Sequence, residues 1–142
     1  MLRFTLVLVL LCSIANAQEK AASLYDRLGR YDAISQIVDG YLKGIRSDPQ
    51  FSRFSGRGAD SLRRAKQLLK DQLCALTGGP CSYIGRDMKT AHSGLGITSD
   101  EWAMNMKYMA VALDNAKIAS KEKTEFLAII DSLKPEIVEA PK

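Results

Sequence analysis

The chain has 142 residues, of which 46% are hydrophobic and 7% aromatic, a mixture typical of a globular protein. This length supports one domain with one core and is too short for two. The 20 basic and 16 acidic residues give a net charge of only +4, and they are scattered singly or in pairs such as Arg63-Arg64. Nucleic-acid binding favours a basic stripe with interleaved aromatic residues, so we expect no nucleic-acid partner.

The N-terminus has the pattern of a secretory signal peptide. Arg3 is followed by an apolar run over residues 4–11, which is too short to cross a membrane as a stable helix. Ala15-Asn16-Ala17 then provides the small-x-small pattern of a cleavage site. We predict a signal peptide over residues 1–17, a single exported domain over 18–142, location in the bacterial periplasm, and no stable membrane insertion after cleavage. The alternative is a lipoprotein anchored through Cys12, although Leu11 is bulkier than a lipobox usually accepts.

The remaining chain shows helical periodicity and no convincing alternation of period two, which predicts an all-α fold. Capping boxes at Ser23 and Thr98 each predict a helix start, and Asp60 is a candidate N-cap for a third helix. In chain order we expect a short helix that ends at Gly29, an amphipathic helix that ends near Asp48-Pro49, and a turn with Phe51 and Phe54. A loop at 56–58 then precedes a helix that ends at Gly78-Gly79-Pro80. After it we expect a short helix over 87–92, a helix that carries Trp102, and a last helix that kinks or frays at Pro135.

Cleavage of the signal peptide would leave two cysteines, Cys74 and Cys81. An even pair in an oxidising compartment is a disulfide candidate. The two are seven residues apart with Gly78-Gly79-Pro80 between them, so the chain could turn back and bring them together. Two buried free thiols are the alternative.

His92 is the only histidine, and it lies in a long, mostly irregular segment. We expect no nucleophilic triad, because no serine or cysteine stands in a suitable sequence context. We also expect no four-ligand zinc site, because the chain offers too few ligands. The Cys-x-x-Cys-His motif that attaches a c-type haem does not occur. We interpret Gly94-x-Gly96 as a turn, because the rest of a nucleotide-binding fingerprint is missing. A haem iron needs only one protein ligand beside its four porphyrin nitrogens, so a single histidine suits haem.

The segment around His92 carries a long motif. Gly78-Gly79-Pro80, Tyr83-x-Gly85, Met88-x-x-x-His92 and Gly94-x-Gly96-Ile97 follow one another, and Leu24 to Gly29 reads Leu-Tyr-Asp-Arg-Leu-Gly. Together they closely resemble the group I truncated haemoglobins, and the resemblance spans essentially the whole predicted mature chain. It implies a two-over-two helical sandwich, a truncated globin fold, that holds one haem b per chain with His92 as the proximal iron ligand.

The resemblance also implies which residues contact the haem. On the proximal side Tyr83, Met88, Ile97 and Trp102 match lining positions, and Leu69 and Phe54 are further cofactor contacts. Met88 and Trp102 would belong to the core in any case, since the haem is part of it. Arg86 and Lys89 could meet the haem propionates or simply be solvated.

The distal side departs from the family pattern. Where many relatives have Phe-Tyr, this chain has Tyr41-Leu42, and one residue of shift is about 100° around a helix. Leu69, beside Leu68 and Ala65, replaces the usual polar residue, Gln72 replaces a phenylalanine, and Ser55 follows Phe54 where a second phenylalanine is frequent. We expect a distal pocket of Tyr41, Leu42, Ala65, Leu68, Leu69 and Gln72, and hypothesise that Tyr41 and Gln72 provide its polarity.

The function that this resemblance implies is reversible binding of diatomic gases, namely oxygen, nitric oxide and carbon monoxide. Conversion of nitric oxide to nitrate is also implied, and it would require an unidentified reductase. The alternatives are a nitric oxide dioxygenase or haem peroxidase proper, a haem gas sensor or electron carrier, and a haem-free structural bundle. Bis-histidine ligation is impossible with one histidine, whereas a sixth ligand from Tyr41 or a sulfur stays open.

Overall fold

A computed structural model describes residues 21–54 and 58–139 of the chain. Within these residues the regular structure is helical and contains no strand. The helices are α1 (Leu24–Leu28), α2 (Arg30–Ser47), α3 (Ala59–Leu76), α4 (Met88–His92), α5 (Ser99–Asn115), α6 (Ser120–Asp131) and α7 (Lys134–Ile137), with a 3₁₀ turn at Pro49–Phe54. The predicted signal peptide, Cys12 and most of the predicted loop after Phe54, with Ser55, lie outside the described residues.

Two helices begin at the N-caps that the sequence predicts, and the second of them, at α5, is a complete capping box. The Ser23 hydroxyl accepts a hydrogen bond from the Asp26 amide at 3.1 Å, and Gly29 ends α1 with a left-handed φ of 105°. At α5 the Thr98 hydroxyl accepts from the Glu101 amide, while the Glu101 carboxylate accepts from the Thr98 amide. The cap at Ser23 satisfies one amide that lacks a partner within its own helix, and the capping box at Thr98 satisfies two.

The predicted N-cap at Asp60 is wrong, because α3 begins at Ala59, two residues earlier than an N-cap at Asp60 would place it. Gly58 is the extended N-cap residue, and Asp60 lies in the first turn, where its carboxylate pairs with Arg63. A carboxylate in the first turn still interacts favourably with the helix dipole. At the C-terminus, the last long helix ends at Asp131, so Pro135 lies within the separate short helix α7 rather than at a kink.

The four long helices form two packed layers. Helix α2 packs against α5 and α3, α5 packs against α6, and α1 and α4 close the edges against α2, α6 and α7. The core between them holds fully buried apolar side chains: Ile34, Ile37, Val38, Leu73, Leu113 and Phe126. This arrangement is the two-over-two sandwich that the sequence predicts.

The crossing of α2 and α5 requires a glycine. A Cβ on Gly44 would lie 2.6 Å from the ring of Tyr108, so no side chain fits there without displacing the ring. The Tyr108 hydroxyl donates to Asp48 at 2.8 Å, which fixes the ring against the end of α2. The two central helices can therefore approach closely enough to form one wall of the interior.

A disulfide joins Cys74 near the end of α3 to Cys81 in the following loop. It therefore ties the end of α3 to the segment that leads into α4. No helix in the described part of the chain has the length and hydropathy needed to cross a membrane.

Candidate functional site

A cavity of about 280 Å³ lies in the core. Its wall is mostly apolar and includes eight of the residues that the sequence predicts to contact the haem or its gas ligand: Tyr41, Phe54, Leu69, Gln72, Met88, His92, Ile97 and Trp102. These side chains come from α2, the 3₁₀ turn, α3, α4, α5 and the loop before α5. The fold thus brings together residues that are up to 61 positions apart in the sequence.

Four other predicted site residues lie outside this wall. The Tyr83 hydroxyl donates to the Arg86 carbonyl at 2.6 Å, and its ring packs beside Gly85 and against the edge of the core. Leu42 lines an outer groove that also includes Lys66. On α3, Ala65 is exposed and Leu68 is half-buried, since the face of this helix that turns to the cavity carries Leu69 and Gln72.

His92 is oriented by its own helix. Its Nδ1 lies 2.8 Å from the Met88 carbonyl oxygen, one helical turn earlier. A carbonyl only accepts hydrogen bonds, so Nδ1 must carry the proton and Nε2 must be the ring nitrogen with the free electron pair. Asp87 caps this short helix by accepting from the Thr90 amide at 2.8 Å. The imidazole is therefore held in the tautomer that a metal ligand at Nε2 requires.

Two large side chains that line the cavity with His92 are also fixed by hydrogen bonds. The Trp102 indole nitrogen donates to the Asp131 carboxylate at 2.9 Å, which anchors a buried ring between α5 and α6. The Met88 sulfur accepts from the Gln72 amide at 3.0 Å. Met88 consequently connects the α3 wall of the cavity to the helix that carries His92.

Tyr41 lines the cavity, and its hydroxyl donates to the Asn105 side-chain oxygen at 2.5 Å. Burial raises the pKa of the Tyr41 hydroxyl to about 12, because the ionised form would lose its hydration. The hydroxyl therefore keeps its proton at neutral pH. Sequence reasoning missed Asn105, although it stands three residues after Trp102 and four before Met109 and so falls on the buried face of α5.

A second missed feature is an ion pair at the cavity wall. Both Glu101 oxygens accept hydrogen bonds from the Arg53 guanidinium, one of them at 2.9 Å from Nη2. Arg53 also stacks over the Phe54 ring, 4.1 Å from its centroid. Glu101 is only 5% exposed, and hydrogen bonds from Arg53 lower the pKa of this carboxyl to about 2 despite its burial. The sequence marked Glu101 as a helix cap but contained no signal that would pair it with Arg53.

The side chains at the cavity can supply few metal ligands, so they fit a cofactor that itself supplies most of the ligands of its metal. Within residues 21–54 and 58–139, no group of three or more His, Cys, Asp or Glu side chains is placed to hold a bare metal ion. The cavity instead offers one oriented imidazole, an indole, a thioether and aliphatic side chains. A porphyrin, which supplies four nitrogens and a large apolar face, matches this set.

A two-over-two helical sandwich around such a cavity defines a truncated globin. Residues 23–139 match the model of the bacterial-like globin family. The group 1 truncated hemoglobin GlbN of Mycolicibacterium paratuberculosis is 34% identical over 116 residues, which cover 82% of this chain and 84% of that protein. The chain therefore belongs to the bacterial-like globin family. Haem b is the cofactor of truncated globins, and diatomic gases are the ligands of the globin family.

Solved structures support the fold assignment. Truncated hemoglobin from Tetrahymena pyriformis in its Fe(III) form superposes with a TM-score of 0.76 at 21% identity, over 84% of this chain and all of that one. The 2/2 hemoglobin of a Synechococcus species, solved in the cyanomet state with covalently attached heme, gives 0.71 at 24% identity, over 80% of this chain and 94% of that one. At these identities the likeness concerns the fold alone.

The Arg53–Glu101 pair predicts a dependence of stability on acid pH. The folded-state pKa of Glu101 lies near 2, below its usual 4.5, so the stabilisation is complete above about pH 4.5 and is lost as the pH falls towards 2. Replacing Glu101 by Gln should lower the free energy of unfolding at pH 7 by on the order of 2 kcal/mol, allowing for the half-exposed guanidinium. It should also flatten the decline between pH 4.5 and 2. Urea unfolding at several pH values measures both effects.

The matched control is Asp100→Asn, an exposed carboxylate in the same first turn of α5. This variant should change stability little and keep the acid dependence. An acid dependence of equal size in Glu101→Gln and in the original chain would contradict the assignment.

Proposed function

We propose that this chain binds one haem b in its central cavity, with the Nε2 of His92 as the proximal iron ligand, and that it binds diatomic gases reversibly. The observation that carries the proposal is the 2.8 Å bond from Nδ1 of His92 to the Met88 carbonyl. It leaves Nε2 as the electron-pair donor, on a side chain that lines an apolar cavity. When bound, the haem iron would supply an open coordination position for a gas molecule.

The residues of the cavity wall would hold the haem in different ways. Trp102, Ile97 and Leu69 offer apolar surface, and they exclude water from the metal. Arg86 and Lys89 are exposed near the start of α4, where either could pair with a propionate. This division suits haem b, which has an apolar body and two charged edge groups.

Three polar side chains would decide how a gas ligand is held. The Tyr41 hydroxyl donates a hydrogen bond to Asn105 Oδ1, which leaves the Asn105 amide group as a donor. Gln72 uses its amide group toward Met88 and has a second amide hydrogen to offer. A neutral donor of this kind stabilises a ligand that gains negative charge, as oxygen does on a ferrous iron. These donors therefore favour oxygen as the gas ligand, and the bound oxygen could in turn be used to detoxify nitric oxide.

We also propose that residues 1–17 are removed during export and that the globin domain acts in the bacterial periplasm. Arg3, the apolar run over 4–11 and Ala15-Asn16-Ala17 are the basis of this proposal. The disulfide between Cys74 and Cys81 supports it, because disulfides persist in oxidising compartments.

Replacing His92 by Gly tests the iron ligand. The original chain should take up one haem and give, in the ferrous state, the absorption spectrum of a five-coordinate imidazole complex. His92→Gly should lose this spectrum and regain it when free imidazole is added, since imidazole can occupy the space of the missing side chain. Ala91→Gly, an exposed neighbour on α4, controls for a glycine in this short helix. A His92→Gly variant with an unchanged spectrum would overturn the assignment.

Replacing Gln72 by Leu tests the distal polarity. Loss of one hydrogen bond to a partly charged ligand, worth about 1.5–3 kcal/mol, should raise the oxygen dissociation rate by about 10- to 150-fold in stopped-flow measurements. Gln67→Leu is the matched control, since Gln67 lies on the same helix and bonds instead to Tyr31 and Asp71. An unchanged rate in Gln72→Leu would remove Gln72 from the account.

The same pair of variants distinguishes gas binding from nitric oxide detoxification. Nitrate formed from nitric oxide in the presence of oxygen and a reductant should fall in Gln72→Leu and persist in Gln67→Leu. Reversible oxygen binding without catalytic nitrate formation in the original chain would restrict the function to gas binding.

Export predicts a defined mass. The full chain, expressed in a Gram-negative host and recovered from the periplasm, should have the intact mass of residues 18–142 with one disulfide. An Ala17→Arg variant should keep its N-terminal segment, because a bulky residue blocks the cleavage site. Recovery of an uncleaved original chain, or of one lipidated at Cys12, would contradict the prediction.

A further inference from the structure

The loop that follows His92, residues 93–97, has a constrained backbone. Gly94 and Gly96 have left-handed φ values of +78° and +62°. No atom lies within 4 Å of a Cβ built on either residue, so it is the backbone conformation that requires glycine here, and not a lack of space. We call residues 93–97 the post-histidine loop. Leu95 and Ile97 of this loop line the cavity.

One carboxylate holds the amides of this loop. The Gly94 amide donates to Oε1 of Glu139 at 2.5 Å, and the Gly96 amide donates to Oε2 at 2.9 Å. The amide of Glu139 itself donates to the Ile97 carbonyl at 2.9 Å. Alternate backbone amides that converge in this way form a concave site for an anion, and here the anion is a side chain of the same protein.

The carbonyls of the loop meet a cation. Nη2 of Arg53 lies 3.4 Å from the Leu95 carbonyl oxygen and 3.3 Å from that of Gly96. These contacts are longer than those of Glu139, and Arg53 directs its main hydrogen bonds to Glu101. The shorter bonds from Glu139 therefore restrain the loop more strongly than Arg53 does.

We propose that Glu139 is a positioning residue for the haem site: it fixes the post-histidine loop and thereby the end of α4, which carries His92. This inference rests on the proposed function. The bond from His92 to the Met88 carbonyl orients the imidazole relative to α4, but α4 has only five residues and ends at His92, so the helix has little stability of its own with which to hold its place in the fold. Glu139 fixes the backbone two and four residues beyond the ligand and keeps Leu95 and Ile97 at the cavity wall.

The first test does not depend on haem. In Glu139→Ala, hydrogen exchange of the Gly94 and Gly96 amides, followed by NMR, should accelerate about tenfold, as expected for loss of one charge-assisted hydrogen bond. Glu136→Ala removes an exposed carboxylate from helix α7, which ends two residues before Glu139, and should leave both amides unchanged. Unchanged exchange in Glu139→Ala, or equal acceleration in Glu136→Ala, would overturn the proposal.

The second test uses the haem-loaded protein. In Glu139→Ala the haem should transfer to excess apomyoglobin about tenfold faster than from Glu136→Ala, and the iron–histidine vibration of the ferrous protein should shift or broaden. Glu139→Gln, which keeps one acceptor oxygen, should recover part of the difference. An unaltered rate of haem transfer together with an unaltered iron–histidine vibration in Glu139→Ala would contradict the positioning role of Glu139. A chain that takes up no haem would instead refute the proposed function, and the exchange test would still report on the loop.

Discussion

The central cavity is the constraint on which the rest of this structure depends. Protein interiors are close-packed, and few natural domains leave a large apolar space in the core. This cavity has a volume of about 280 Å³ and a mostly apolar wall. An apolar occupant would remove that wall from water, and burial of apolar surface stabilises by roughly 25 cal/mol per Å². Anything that binds the folded chain and not the unfolded one stabilises the fold, so cofactor binding and stability are coupled.

The helices around this cavity have separate roles. Gly44 allows α2 and α5 to cross closely, and this crossing brings Tyr41 and Asn105 within hydrogen-bond distance. Helix α3 contributes Gln72 to the wall, and its end is joined by the disulfide to the loop before α4. The short helix α4 has little stability of its own, so its placement depends on hydrogen bonds with other elements. Two of these are the bond from Gln72 to the Met88 sulfur and the bond from the Gly94 amide of the post-histidine loop to Glu139.

Much of the fold follows from local signals. The N-caps at Ser23 and Thr98 mark where two helices begin, and apolar spacing marks the extent of the long helices. The His92 motif predicts the truncated globin family. The N-cap of α3 was missed because an acidic residue in a first turn has the same local appearance as a cap. Which side of a helix meets the cavity was harder to predict: Tyr41 lines the cavity, whereas the adjacent Leu42 lines an outer groove.

The parts that the sequence could not provide are pairings between distant residues. Arg53 and Glu101 are 48 positions apart, and Glu139 is 43 from Gly96. No periodicity connects such residues, since their contact is a result of tertiary packing.

The central claim is the tautomer of His92, with Nδ1 bonded to Met88 and Nε2 free for iron. Proton NMR of the ferrous, haem-loaded protein tests it most directly. We predict one exchangeable, strongly hyperfine-shifted Nδ1 proton with slow solvent exchange, which disappears in His92→Gly. Absence of that resonance from the original protein, or its persistence in the variant, would contradict the account.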